Sequence, residues 1–237
     1  MIIAIDGPAG AGKSTVAKIV AKKLGFLYID TGAMYRALTL KAIQENINPQ
    51  NTVEIVKLAS RICIKLKNKR SGAISVFVDG IDVSKPIRRP EITKVVSDVA
   101  KIKGVRKVML GLQRRMGWNN NSVLEGRDIG TVVFPDAQKK FFLDARFKER
   151  VNRRYQEFRS TKIKDITVNN VARDLKNRDT IDSTRKIAPL KKAKDAIHID
   201  TTNLSINEVV NVLLKHIKQN SKRNAKNAKL KLKTFPV

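Results

Sequence analysis

The chain has 237 residues, 49 of them basic and 21 acidic, for a formal charge of +28. That length can bury a substantial core as one domain with small insertions. A single cysteine, Cys63, excludes an intrachain disulfide and a cysteine-based zinc site, and no run approaches the ~20 apolar residues that span a bilayer. The basic excess suits anionic ligands, whether nucleotides or nucleic acid, although a plain lysine bias would give the same charge. The tail from Lys218 to Lys233 carries only a minority of that excess. Neither a basic segment nor a long apolar run precedes Asp6, so a signal peptide is not expected and a cytoplasmic protein is.

The chain opens with the apolar run Ile2-Ile3-Ala4-Ile5, a strand, followed by Gly7-Pro8-Ala9-Gly10-Ala11-Gly12-Lys13-Ser14-Thr15. This is a phosphate-loop pattern in its required setting, between a strand and a helix. Its glycines let backbone N–H groups wrap the phosphates of a nucleoside triphosphate, assisted by the dipole of the new helix. Lys13 would reach the outer phosphates and the Ser14 hydroxyl would ligate Mg²⁺. A chance glycine-rich turn is the alternative, and the complete match in context argues against it.

Apolar residues at helical spacing run from Val16 to Leu24, stopped by Gly25. Phe26 to Ile29 reads as a strand ending in Asp30-Thr31-Gly32. Met34 to Glu45 reads as a helix, Asn46 to Asn51 as a polar turn and Val53 to Ser60 as a short helix. Ile62 to Leu66 and Ile74 to Val78 read as strands, with a basic turn from Lys67 to Gly72 between them. Asp79-Gly80 turns the chain into Ile81-Asp82-Val83. These strands form a small antiparallel insertion closed by Pro86 and Pro90. Cys63, within it, is expected to be half-buried and inert.

Glu91 to Met116 reads as one long helix interrupted at Gly104. Val123-Leu124 is a strand ending at Glu125-Gly126-Arg127-Asp128, and Lys140 to Leu143 a strand ending at Asp144. Phe147 to Arg159 and Val168 to Asn177 are helices, Ala196 to Ile199 is a strand ending at Asp200, and Asn207 to Ile217 is the closing helix. Five short strands alternating with helices predict an α/β fold with a parallel sheet covered on both faces. The ligands should then lie beyond the carboxyl ends of the strands. No repeat is visible, and Ser221 to Val237 is expected to be disordered.

Phosphoryl transfer asks for positioning and neutralisation of charge. Arg36, Arg127, Arg178 and Arg185 lie near strand ends, with Arg153 and Arg154 on a helix that could close over the site. Arginine grips phosphate bidentately and stays charged, although in so basic a chain any single arginine has a surface role as its default. Arg36, Arg127 and Arg185, in short Gly- or Pro-bounded segments, stand out from that background. The two histidines lie late: His198 in a strand expected to be buried, His216 on a polar helix face. An acceptor phosphate is already ionised at neutral pH and needs no base, whereas a hydroxyl does. An arginine-rich site without an evident base therefore favours a phosphate acceptor, with Asp30 and Asp128 left open as bases.

Four blocks then resemble the bacterial cytidylate kinases: Asp6 to Ser14, Asp30-Thr31-Gly32-Ala33-Met34-Tyr35-Arg36, Glu125 to Pro135, and Arg178 to Arg185 followed by Ala188-Pro189-Leu190. The resemblance runs from Met1 to about Ile217. It implies a P-loop NTPase fold over residues 1–217, an acceptor-side insertion at 63–88 and a short helical lid at 148–164; the basic tail at 218–237 and the heavy lysine use depart from the family's pattern. It further implies transfer from ATP to CMP, giving ADP and CDP with Mg²⁺, with dCMP a second acceptor and UMP a poorer one. By the same resemblance, Arg36, Arg127 and Arg185 hold the acceptor phosphate, Ser97, Arg106 and Asp128 read the cytosine edge, and Arg178 and Asp182 hold the ribose. Thr31 and Tyr35 line that pocket, and Arg153 joins Gly7 to Thr15 on ATP. From the residues alone, Ser97 and Arg106 are anonymous helix positions and Asp182 a turn or cap residue.

Two other readings stay open at this point. One is a kinase of the same fold acting on another monophosphate or on a hydroxy acid such as shikimate. The other is an RNA-stimulated ATPase, prompted by charge; an aromatic content of 5% and the lack of an RNA-recognition motif weigh against it. A weak nucleic-acid contact by the tail is compatible with either, and a monomer is expected.

Overall fold

A computed structural model describes residues 1–68, 74–160 and 166–218. The basic turn read at 67–72, the lid read at 148–164 and the tail read at 218–237 all run outside these residues.

Five strands, β1 (Ile2–Asp6), β2 (Leu27–Asp30), β6 (Ser122–Gly126), β7 (Lys139–Asp144) and β8 (Ile197–Asp200), pair in the order β2-β6-β1-β7-β8. Every pairing is parallel, with Ile3 opposite Val123 and Ile5 opposite Phe141. Both faces are covered, so successive β1 residues enter different cores. Ile3 and Ile5 pack with Val123, Phe141 and Leu143, whereas Ala4 packs with Ile29, Leu124 and Phe134. The predicted sheet is thus the observed one. Between β2 and β6 lie β3 (Ile64–Asn68), β4 (Ile74–Val78) and β5 (Ile81–Asp82), a separate antiparallel sheet in the order β3-β4-β5, as expected for an insertion.

Helix α1 (Lys13–Leu24) buries Val16, Ala17, Val20 and Ala21 along one stripe, and Gly25 ends it in a left-handed conformation. Helix α2 (Thr31–Gln44) starts earlier than its apolar spacing indicates, because the Asp30 side chain caps it by accepting from the Ala33 N–H at 2.9 Å. Helix α3 (Thr52–Arg61) follows, with Asn51 as its cap.

The long helix expected over 91–116 is two helices, α4 (Pro90–Lys101) and α5 (Lys103–Trp118). The break falls at Ile102, extended at φ −66°, ψ 121°, and not at Gly104. Gly104 instead lets α5 approach α3 closely: a Cβ there would lie 2.5 Å from Val56 Cγ2. Helix α6 (Phe147–Ser160) is as expected, but α7 (Val168–Thr184) runs a full turn or more past Asn177, so Arg178 and Asp182 are helical residues. Residues 206–218 form α8. Two burial expectations fail at edges. Cys63 is exposed at the rim of the small sheet, and His198 is exposed because β8 ends the large sheet. No helix among the described residues is long and apolar enough to cross a membrane.

Gly104→Ala should destabilise the protein by about 1–3 kcal/mol through overpacking against Val56, read as a lower urea midpoint. Adding Val56→Ala should restore most of the loss; an unchanged midpoint in the single variant would show that the contact yields freely.

Candidate functional site

The carboxyl ends of β1, β2, β6 and β8 open into one cleft of about 940 Å³. One lobe is walled by Ala9 to Thr15, Arg153 and the segment from Thr201 to Ile206. The other is walled by Thr31, Tyr35, Arg36, Ser97, Arg106, Arg127, Asp128, Arg178, Asp182 and Arg185.

Two residues of the loop do not line it. Gly7, at φ 146°, presses against β7, where a Cβ would fall 1.9 Å from the Leu143 carbonyl oxygen. Pro8 turns its carbonyl inward to accept from Lys13 Nζ at 2.6 Å. Both shape the loop from behind. Ala9 is held through its backbone: its N–H donates to Asp179 Oδ1 at 3.3 Å, and its carbonyl accepts from Arg150 Nη1 at 3.0 Å. Arg153 is anchored at the far end, donating to Glu149 Oε1 at 3.0 Å, Thr201 Oγ1 at 2.9 Å and the Thr201 carbonyl at 2.7 Å.

In the second lobe carboxylates tie the cations in place. Arg106 pairs with Asp128 at the closed end, both buried, and lies 5.6 Å over the Tyr35 ring. The break at Ile102 makes this possible. In a straight helix Ser97 and Arg106, two and a half turns apart, would point in roughly opposite directions; the bend brings both to the cleft, and Arg106 Nη1 donates to the Ala100 carbonyl at 3.2 Å. Asp182 accepts from Arg127 Nε at 2.8 Å and from Arg185 Nη1 at 3.4 Å, and Arg185 Nη2 also reaches Asp128 at 3.5 Å. Arg36 donates to Thr93 Oγ1 at 2.8 Å. Thr31 is buried, its hydroxyl donating to the Glu125 carbonyl at 2.7 Å.

Cations outnumber anions here, and their acidities record it. Burial, reinforced by Arg127 and Arg178, lowers Lys13 to about 7. Burial and the neighbouring Arg178 and Arg154 lower Arg36 to about 9, and burial with Arg127 lowers Arg178 to about 10. Arg178 Nε is buried with no hydrogen-bond partner within the protein, which leaves it a donor for an acceptor from outside the chain. On the acid side, burial raises Glu125, which accepts from Tyr28 Oη at 2.7 Å and from the Ser14 hydroxyl. Burial also raises Asp6 to about 6, against the pull of two backbone N–H groups.

Sequence reasoning assigned no role to Glu125, Asp6, Arg150 or Asp179, nor to the wall after Asp200. The strand-end rule pointed at Glu125 and at the β8 exit; nothing local pointed at Arg150 and Asp179, whose partner is a backbone far along the chain. His198 and His216 do not line the cleft.

A family model described as cytidylate kinase matches residues 3–219. A cytidylate kinase of Fusobacterium nucleatum is 50% identical over 219 residues, covering 92% of this chain and 98% of that protein. One from Caldanaerobacter subterraneus is 50% identical over 220 residues, covering 93% and 96%, and one from Bacillus subtilis 47% over 220, covering 93% and 97%.

Burial alone would raise the Asp182 carboxyl, but Arg127, Arg178 and Arg185 outweigh it and hold the group below its usual value. A depressed carboxyl contributes stability that is fully present above about pH 4 and is lost as pH falls through its folded value. Asp182→Asn should therefore cost about 3 kcal/mol at pH 7. The gap between the two urea midpoints should close in acid; a gap that is constant down to pH 3 would contradict the pairing.

Proposed function

The chain belongs to the cytidylate kinase family, and on that premise we propose that the two lobes of its cleft seat ATP and CMP with their phosphates facing. The observation that carries this reading is the second lobe itself: a band of buried guanidinium groups at the level of the phosphate loop, with a neutral, polar closed end beyond it. A monophosphate fits the band, and a base edge with both a donor and an acceptor fits Ser97, Arg106 and Asp128.

ATP lies along the loop from Ala9 to Thr15, with Gly7 and Pro8 as its supports and Arg153 at the far end. Lys13 exchanges the Pro8 carbonyl for the outer phosphates, whose charge restores its ammonium form. Mg²⁺, arriving with ATP, supplies charge neutralisation on the β- and γ-phosphate oxygens. The hard oxygens of Ser14 and neighbouring Glu125 fit an ion that takes few protein ligands beside phosphate and water. Arg36, Arg127 and Arg185 hold the acceptor phosphate in line, and Arg178 and Asp182 hold the ribose, with Thr31 and Tyr35 as the wall. As the phosphoryl group moves, the guanidinium groups stabilise the charge spread over its oxygens. The lid at 148–164 and the insertion at 63–88 close over both nucleotides and keep water from the transfer. dCMP serves as a second acceptor and UMP as a poorer one. The reading carries action as a monomer and a cytoplasmic setting with it.

Purified protein with Mg-ATP should release ADP in the presence of CMP and dCMP, more slowly with UMP, and at background rate with shikimate or RNA. CMP left unphosphorylated would overturn the reading. Arg127→Ala should lower kcat by about 10²–10³-fold. Mg-ATP binding, followed by calorimetry, should persist in that variant, and full turnover in it would remove Arg127 from the chemistry.

A further inference from the structure

Asp6 ends β1 one residue before the phosphate loop, yet it does not line the cleft. It is buried beneath it. Its Oδ1 accepts from the Ile129 N–H at 2.8 Å and its Oδ2 from the Gly130 N–H at 2.7 Å. Those residues open a π-helical turn, Ile129–Val133, that follows Asp128 directly. Asp128 itself has φ −145°, ψ 24°, and its side chain does not cap the turn, being committed to Arg106 and Arg185.

A helical turn begins with N–H groups that have no partner inside it, and capping normally comes from the residue just before. Here the cap comes from another strand. A carboxylate is the side chain suited to it, with one acceptor oxygen for each of two successive N–H groups. An amide has a single oxygen and would set its own donor against the second N–H. Gly130 completes the fit, since a Cβ there would lie 3.4 Å from Asp6 Oδ2 and 3.2 Å from Lys140 Cδ.

We propose that Asp6 is a positioning residue for acceptor recognition: by holding the N–H groups of Ile129 and Gly130 it fixes Asp128, and with it the Arg106–Asp128 pair, so that it sets base discrimination while touching neither nucleotide. The inference rests on the assignment of Asp128 to the acceptor base. The backbone of the phosphate loop has separate anchors, Leu143 behind Gly7 and Asp179 with Arg150 on Ala9, so loosening the turn leaves that backbone in place; the Asp6 charge also favours the Lys13 ammonium, a link that Gly130→Ala keeps.

The test is steady-state kinetics with ATP, CMP and UMP on the wild type, Asp6→Asn and Gly130→Ala. The second variant keeps the carboxylate and its acceptor oxygens and loads the same turn with a methyl 3.2 Å from Lys140 Cδ, at ordinary contact distance from Asp6 Oδ2. In Asp6→Asn, KM for CMP should rise about tenfold and the CMP-over-UMP ratio of kcat/KM fall about tenfold, the equivalent of one lost charge-assisted hydrogen bond. Gly130→Ala should shift both in the same direction by a smaller factor. KM for ATP should stay within about twofold in both, which a general loss of packing would not produce. Unchanged discrimination in both variants, or ATP and CMP KM values rising together, overturns the proposal. Should Asp6→Asn fail to fold, Gly130→Ala decides alone. A wild type that leaves CMP untouched sinks the functional reading, whereas an active wild type with unaltered discrimination in the variants sinks only this one.

Discussion

Repulsion among buried cations is the constraint around which the cleft is built. Lys13, Arg36, Arg127, Arg178 and Arg185 surround one space, and Asp128 and Asp182 supply the carboxylates that pair with Arg127, Arg185 and neighbouring Arg106. Two unit charges about 6 Å apart in a surrounding of effective dielectric near 20 repel by about 3 kcal/mol, so several such pairs outweigh any one favourable contact in the region. The depression of Lys13, Arg36 and Arg178 is chiefly their burial, with that repulsion added to it. Two polyanionic nucleotides remove it. The energy stored in the free cleft thus becomes affinity and transition-state stabilisation, and the rest of the fold has to be stable enough to carry it.

The parallel sheet makes such crowding possible because it delivers each group from a different strand. β1 hands over the phosphate loop, β6 the segment of Gly126, Arg127 and Asp128, and β8 the wall of the donor lobe, while α7 brings Arg178, Asp182 and Arg185 from outside the sheet. The chain leaves β1 toward the β2 edge and later crosses from β6 over β1 to β7 and β8, and the crevice opens where that direction reverses. No single element holds more than a few of the cations, so each can be anchored in its own backbone before they are brought together.

What could be read without coordinates follows from how local each signal is. The phosphate loop, the sheet and the small antiparallel insertion rest on short-range patterns, and all three are found as expected. The break at Ile102 has no local marker; Gly104 looked like one, but its lack of a side chain serves packing against Val56. Without that break the positions of Ser97 and Arg106 are uninterpretable, and only the family resemblance pointed to them. Asp182 seemed a turn residue because α7 loses its apolar stripe after Leu175. The polar residues beyond it are helical because they face a charged cleft and not a core. Edge effects exposed Cys63 and His198, and sheet order is not a property of any one strand's sequence.

The acids at and beneath the rim bear on the question of a catalytic base that the sequence left open. Asp30 caps α2 through the Ala33 N–H; Asp128 is shared by Arg106 and Arg185; Asp182 is shared by Arg127 and Arg185; Asp6 takes two backbone N–H groups; Glu125 accepts from Tyr28 and Ser14. Each carboxylate is engaged in holding something, and Asp182 is held below its usual range by Arg127, Arg178 and Arg185, which makes it a poor proton acceptor. A hydroxyl nucleophile would meet no group placed to take its proton, whereas a phosphate oxygen arrives without one. The same carboxylates that make the cations tolerable thereby select the acceptor's chemistry: the cleft favours a nucleophile that is already an anion.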